Sequence, residues 1–387
     1  MRTERRQQIV QRLIDAGPHL TGLYGEHSTS QPAVEYTDGE RFVQEIEALF
    51  RHGPSFFALS GACPSPGDYL TGVVGRVPVA VVRQDTGALA GFVNACRHRG
   101  APLFVGASGS MADRVSCGYH AWTYERDGRL AVRPATYGGF DDVTASCDLI
   151  RIDVAERHGL IFVQPVPGDA PIDVGSLVGP QIADDLDAFG ISSYVHIETR
   201  VNTWPINWKL VLDTFCESYH LRTLHRDSLA PTFLSDPSVF EAHGRNLVSI
   251  GLRKTVVDEF DKPEAERDIV PYGTIEYFLV PSGLVVHQID HLEVWRLEPI
   301  DARTTRTVTS LFAPVEPATE RSRGYFVKNL DMLMAVVSGE DFALMAQIQQ
   351  NLDSGLLPSL VFGRIEPALG HLHASINHLL AQSASRR

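Results

Sequence analysis

Hydrophobic positions along the chain alternate between a helical and a strand-like spacing, and the switches divide it into three parts. Near the start, Ile9, Leu13 and Ile14 recur among charged residues, which predicts a helix within residues 1–25. A second helix is expected over residues 38–52, with Phe42, Ile46 and Phe50 on one face. From residue 55 to 165 the pattern breaks into short apolar runs punctuated by Gly and Pro, at 79–82, 89–93 and 160–163. Those runs predict a small antiparallel β domain. Residues 165–171, rich in Pro and Gly, read as a linker. Beyond it a helical stretch is expected over 205–224, then strands over 247–257, 275–280, 284–289, 292–297 and 305–312. Two further helices are expected over 338–352 and 367–382. The whole reads as α+β: N-terminal helices (1–54) packing on the C-terminal part, a small β domain (55–165), and a twisted antiparallel sheet flanked by helices (166–387).

Two short segments inside the small β domain carry chemistry. Cys96-Arg97-His98 and Cys117-Gly118-Tyr119-His120 each offer one thiolate and one imidazole in a turn-prone setting. A [2Fe–2S] cluster of the Rieske type needs two Cys on one iron and two His on the other. One Cys and one His from each of two adjacent loops supply that set, and the run Ala121-Trp122-Thr123-Tyr124 can shield one side from water. A Cys2His2 zinc site is the main alternative. Zinc sites usually pair Cys two to four residues apart, and Cys96-x-His98 is tighter than that.

Composition removes several function classes. The 387 residues suffice for two or three domains, and 44% hydrophobic with 21% charged residues describe an ordinary globular chain. No uninterrupted apolar stretch approaches the roughly 20 residues that span a bilayer. The net charge of −13 argues against nucleic acid and against anionic membranes as partners. Five cysteines, an odd number without a secretion signal, do not form a disulfide framework. Cys63, Cys147 and Cys216 are then reduced thiols, and a cytoplasmic location is expected.

A second constellation lies in the stretch from Asn207 to His225. Asp213, Glu217 and His220 are spaced by four and three and would share one helix face. His225 follows five residues after His220, roughly 140° away on a regular helix. Both imidazoles can reach one metal only if the helix ends or bulges between them. Two His and one carboxylate make the facial triad of non-haem Fe(II) oxygenases. The plain alternative is a helix with a polar outer face and two surface histidines.

Together, the two Cys/His loops, the Asn207-Trp208-Lys209 helix and the Glu217-Ser218-Tyr219-His220-x4-His225 run resemble the catalytic α subunit of Rieske non-haem iron ring-hydroxylating oxygenases. The resemblance extends from about Phe42 to the C-terminal helix. It implies a catalytic domain of the helix-grip type, a Rieske cluster on Cys96, His98, Cys117 and His120, and a mononuclear Fe(II) on His220 and His225. Its third ligand corresponds to Asp341, in the Glu340-Asp341 pair followed by Gln347, Gln349 and Gln350; alternatively, Ser338-x-x-Asp341 is a capping box. The resemblance also makes Glu217 the carboxylate that bridges the mononuclear site to His120 of a neighbouring subunit, hence a homotrimer. It implies O2 as co-substrate and a small organic substrate. NAD(P)H electrons would come through a separate flavin and iron–sulfur reductase or a ferredoxin, since no Gly-rich dinucleotide fingerprint precedes a helix here. Rivals are an aromatic-ring dihydroxylating dioxygenase within the family and, outside it, a Rieske electron carrier without oxygenase activity.

The sequence departs from the family pattern at three places. Asp213-Thr214 stands where Glu-Asn is common, and Gly118 and Ala121 replace Pro and Gly of the second cluster loop. Glu217 stands where most members have Asp, and a Glu there resembles the subgroup that oxidises quaternary ammonium compounds such as carnitine and betaines. Other groups compete for roles. His287 and His291 share a parity that would put them on one sheet face, and His371 and His373 read as core or surface residues of a helix. Trp295, Tyr277, Phe278 and Phe362 read as pocket lining or core.

Overall fold

The computed structural model describes residues 1–134 and 139–385. The small β domain is a seven-stranded antiparallel sheet. Its strand order is Ser55–Leu59, Leu160–Gln164, Arg151–Arg157, Leu89–Val93, Val77–Arg83, Asp68–Val74, Ser108–Ser110. A three-stranded sheet of Arg114–Ser116, Thr123–Glu125 and Leu130–Val132 completes it and carries the second Cys/His loop. The domain leaves and rejoins the rest of the chain at one point, where Val166 N donates to Arg51 O at 3.0 Å.

The second sheet also has seven antiparallel strands, ordered Val195–Trp204, Thr304–Ala313, Leu292–Asp301, Gly283–His287, Gly273–Leu279, Asn246–Leu252, Val239–His243. Alternation gives it two apolar faces. Val248, Ile250, Ile275, Tyr277, Val285 and Val294 pack with Ile9, Val10 and Leu13 of the N-terminal helix and with Ile182 and Leu186. Leu247, Phe278, Leu284, Val286, Trp295 and Leu297 pack instead on Trp208, Val211, Leu212 and Cys216, with Phe342 and the C-terminal helix residues Leu369 and Leu372. The site described below is built on this second face.

Several expected elements change length. The first helix is Thr3–Asp15, after which the chain turns through Gly17 at φ +81°. Residues 38–52 form the helix Gly39–Glu45, capped by Asp38, and then a wide turn Ile46–Arg51. The strand expected over 247–257 stops at Leu252, and Lys254–Glu259 turns helically. Elements that escape the sequence pattern include strand Val195–Trp204, whose inner positions are mostly polar, and helix Glu320–Val336, which buries only Leu330. An element that buries so little apolar surface leaves no periodic signal.

The N-terminal segment is wedged beneath the helix Trp208–Phe215. Lys209 and Glu45 are both fully buried, with Lys209 Nζ 2.7 Å from each Glu45 oxygen, and Trp208 Nε1 donates to Glu45 Oε2 at 2.9 Å. Burial pulls the Lys209 ammonium below its ordinary value, and Glu45 opposes that. Removing one partner of such a pair strands a charge in low dielectric. Glu45→Ala is therefore expected to cost about 3–5 kcal/mol of stability, read from urea unfolding midpoints.

Candidate metal centres

The two Cys/His loops fold in the same way. Cys96 N donates to Ala101 O and Gly100 N to Cys96 O, each at 2.8 Å. In the second loop Cys117 N donates to Trp122 O at 2.8 Å and Ala121 N to Cys117 O at 2.9 Å. The fourth residue after each Cys is left-handed, Gly100 at φ +75° and Ala121 at φ +57°. Glycine reaches that region freely, whereas alanine is strained there. The replacement seen in sequence thus keeps the turn.

These turns bring the four residues together. Cys96 and Cys117 are each 3% exposed, and the rings of His98 and His120 lie 4.5 Å apart. His98 stacks on Trp122 at 5.1 Å and 7°. Its Nδ1 is buried and has no hydrogen-bond partner among the described residues. A buried imidazole nitrogen without a partner, beside two buried thiols, fits a metal ligand. Tyr124 reaches into the same site, its hydroxyl 3.4 Å from Cys96 Sγ while accepting from Arg97 N at 3.0 Å. All five cysteines are free thiols.

The mononuclear site depends on the helix ending early. Trp208–Phe215, capped by the Asn207 side chain accepting from Lys209 N, stops at Cys216, and a single turn Tyr219–Arg222 follows. Asp213, Glu217 and His220 therefore do not share a helix face. Instead Glu217 lies between the two turns, where its Oε2 accepts from His220 N at 3.1 Å and its Oε1 lies 2.5 Å from His220 Nδ1. His225 is held by its own carbonyl, which accepts from Ser228, Leu229 and Ala230. The break in the helix swings the two imidazoles toward each other, with ring centroids 5.0 Å apart.

Asp341 arrives from the far side. Helix Glu320–Val336 widens through Val337–Asp341 before continuing as Phe342–Asp353, and wide turns of this kind recur at functional sites. No helix starts at Ser338, and Asp341 makes no side-chain cap, so the capping-box alternative fails. Asp341 Oδ1 is 2.9 Å from His225 Nε2 and 3.5 Å from His220 Nε2. One ligand atom from each of His220, His225 and Asp341 lies within 4.8 Å of the others. Glu340 stands behind His225, 2.9 Å from its Nδ1, and also accepts from Ser228 Oγ at 2.9 Å. Each imidazole thus has a carboxylate at Nδ1 and turns Nε2 toward Asp341, an outer arrangement that fixes tautomer and orientation for a metal. Burial alone would lower the His225 pKa, but Asp341 and Glu340 outweigh it and hold the group above its ordinary value.

Asp213 supports the helix from beneath. Its Oδ2 accepts from Tyr36 Oη at 2.7 Å, and its Oδ1 lies 2.9 Å from His373 Nε2. His373 is thus a buried member of a three-residue network, while His371 lies against Asn246 O. Tyr36 and His373 sit at opposite ends of the chain, and no local motif announces their meeting. Of the three glutamines, Gln349 is the one that reaches the helix, its Oε1 accepting from Asn207 N at 2.9 Å. Trp295, Tyr277, Phe278 and Phe362 are all buried core.

The pairing of His287 with His291 is a correction. Strand Gly283–His287 ends in a hairpin, where Gln288 N donates to His291 O, so strand parity does not carry across. His287 stacks on Phe189 at 3.9 Å on the face that packs on the N-terminal helix, whereas His291 sits beside Asp290 and Glu293.

Comparison with known proteins accounts for both centres. Residues 58–144 match the Rieske [2Fe-2S] domain, and residues 191–382 match the catalytic domain of the ring hydroxylating alpha subunit. The chain is 32% identical over 367 residues to the glycine betaine monooxygenase oxygenase subunit of Pseudomonas aeruginosa, covering 85% of this chain and 83% of that protein. It belongs to the Rieske non-haem iron oxygenase family. The glycine betaine monooxygenase oxygenase subunit of Chromohalobacter salexigens is 34% identical over 210 residues, 53% of this chain and 44% of that protein. In fold, the Rieske oxygenase matches the quaternary ammonium Rieske monooxygenase CntA with a TM-score of 0.76 at 22% identity, over 92% of this chain and 96% of that one. A Rieske oxygenase carries a [2Fe–2S] cluster in its β domain and a mononuclear iron in its catalytic domain. No helix among the described residues is long and apolar enough to cross a membrane.

In a Rieske oxygenase a hydroxyl near a cluster thiolate favours the reduced, more negative cluster. Tyr124→Phe is therefore expected to lower the cluster potential by roughly 40 mV, the one-electron equivalent of about 1 kcal/mol. Redox titration followed by the reduced cluster's electron paramagnetic resonance signal reads this directly.

Proposed function

We propose that this Rieske oxygenase is the terminal component of a cytoplasmic, homotrimeric system that oxidatively demethylates a small quaternary ammonium compound. The observation that carries the reading is the likeness, over 85% of this chain, to a glycine betaine monooxygenase oxygenase subunit. Glu217 at the bridging position agrees with it. In this reading Cys96, His98, Cys117 and His120 hold the cluster, and His220, His225 and Asp341 hold Fe(II), whose open positions suit O2 activation. Among the described residues His120 is exposed and its ring meets only His98 and Tyr119. The Glu217 side chain keeps 14% of its surface accessible. Both groups are therefore available to a neighbouring subunit, which supports electron transfer between copies.

The overall reaction balances as a monooxygenation. One oxygen atom of O2 enters an N-methyl C–H bond, and the other leaves as water, taking two electrons and one proton from NAD(P)H through a reductase and one proton from solvent. The resulting N-hydroxymethyl group collapses to formaldehyde and the demethylated amine. The test is formaldehyde release driven by hydrogen peroxide, which needs no reductase, across betaines, carnitine, methoxylated aromatic acids and unmethylated aromatics. Formaldehyde from a quaternary amine is expected. Hydroxylated aromatic product without formaldehyde would overturn this reading in favour of a ring hydroxylase.

A further inference from the structure

One charged group in the catalytic domain is used by nothing described so far. Glu276 lies on the sheet face that packs against the helix Trp208–Phe215. Register places it in a row running Ser249, Glu276, Val286, Glu293, Leu311 across five strands. It is deep in the protein, yet unlike Tyr277, Phe278 and Leu279 beside it, it keeps accessible surface. Glu276 is therefore not closed in by packed side chains as its neighbours are. Its row lies next to the row of Trp295, whose ring packs on Phe215 where the helix breaks to present His220.

Around Glu276 the charges are of one sign. Glu293 and Glu217 both act on it, and Asp213 lies beyond Cys216; no Lys, Arg or His pairs with Glu276 among the described residues. Burial, followed by these neighbours, pushes its carboxyl well above the usual range, against the opposing help of Ser249, so its ionised form calls for a cation beside it. A second observation points to a polar ligand. One row away on the same face, Trp295 and Thr309 are cross-strand partners, 1% and 0% exposed. Trp295 Nε1 and Thr309 Oγ1 are both buried without a hydrogen-bond partner among the described residues. Trp295 also packs on Phe215, 5.2 Å between rings, directly before Cys216 and Glu217. Buried polar atoms are normally satisfied, so the orphan indole N–H and hydroxyl call for a polar acceptor, and the uncompensated carboxyl beside them calls for a cation.

We propose that Glu276 is the counter-charge for the cationic head group of the substrate, setting the preference of this oxygenase for an ammonium ion over a neutral group of the same shape. This rests on the quaternary-ammonium reading above. It also assigns specificity to a sheet residue far in sequence from both metal-binding segments. Glu293, on the same row, is already engaged, with Gln288 Nε2 at 3.4 Å and His291 Nε2 at 3.5 Å, which leaves Glu276 as the free acid.

The test compares each quaternary ammonium ligand, glycine betaine and carnitine, with its neutral analogue in which carbon replaces nitrogen. Binding is measured by equilibrium dialysis to the protein with its cluster in place, so that no turnover is required. The wild type is expected to favour the ammonium form. Glu276→Gln is expected to weaken ammonium binding on the order of 10- to 100-fold, leaving the neutral analogue and the iron content unchanged. Glu276→Asp, which keeps the charge, retains the preference. Should the Gln variant fail to fold, the equal-sized pair Glu276→Asp and Glu276→Asn makes the same comparison. Equal discrimination by wild type and Glu276→Gln would overturn the assignment alone. A wild type with no preference for the ammonium form would instead remove the reading beneath it.

Discussion

Glu217→Gln is expected to leave both metal centres loaded and yet to cut reductase-driven turnover by at least about 100-fold. The carboxylate has two roles that the substitution separates. Its Oε1 faces His220 Nδ1 at 2.5 Å, a contact that a Gln carbonyl can still accept. What Gln cannot supply is the negative charge, which in the proposed bridge would face His120 of a neighbouring subunit, and the second acceptor oxygen, Oε2, which takes the His220 N–H. Peroxide-driven demethylation, which bypasses the cluster, should therefore survive largely intact. Equal loss of both activities would reduce Glu217 to a support for His220. Undiminished reductase-driven turnover would remove the bridging role altogether.

Asp341→Ala is expected to empty the mononuclear site while sparing the cluster. Asp341 Oδ1 is the one oxygen that both imidazoles approach, at 2.9 Å and 3.5 Å. Without it the site keeps two neutral nitrogens and loses the only directly facing charge among the described residues. Iron retention should weaken by about 100-fold or more. Analysis would then find roughly two irons per two acid-labile sulfides in place of roughly three, with the cluster's visible spectrum unchanged. Mononuclear iron retained in the variant would mean that another carboxylate, with Glu340 the nearest, completes the site.

How much of this was legible in the sequence depended on how local each feature is. The Cys/His loops are self-contained turns, so residue type and spacing announced them, though not the left-handed position that Ala121 occupies. The His220/His225 pair carried a conditional signal: five residues apart, they required a broken helix, and the structure breaks it at Cys216. Asp341 was readable only through resemblance, because the wide turn that aims it leaves no mark on hydrophobic spacing. Parity misled at His287 and His291, where a hairpin interrupts the strand. Tyr36, His373 and Glu276 were invisible for a different reason. Each acquires its role only when distant segments meet, and an isolated Tyr, His or Glu in an apolar run reads as ordinary.

The hydrogen bond from Val166 N to Arg51 O has an evolutionary and practical meaning. The cluster-bearing domain is a cassette inserted into a catalytic domain that begins before it and resumes after it. Its two ends are already joined at the base, so exchanging it between relatives asks for no new geometry at the seams. The host fares otherwise when cut. Glu45 and Tyr36, which brace the helix beneath the iron ligands, belong to the stretch ahead of the cassette. A fragment starting at the linker would therefore lack the floor of its own active site. Minimal versions of this oxygenase should be made by closing the chain across the seam, keeping the first 51 residues.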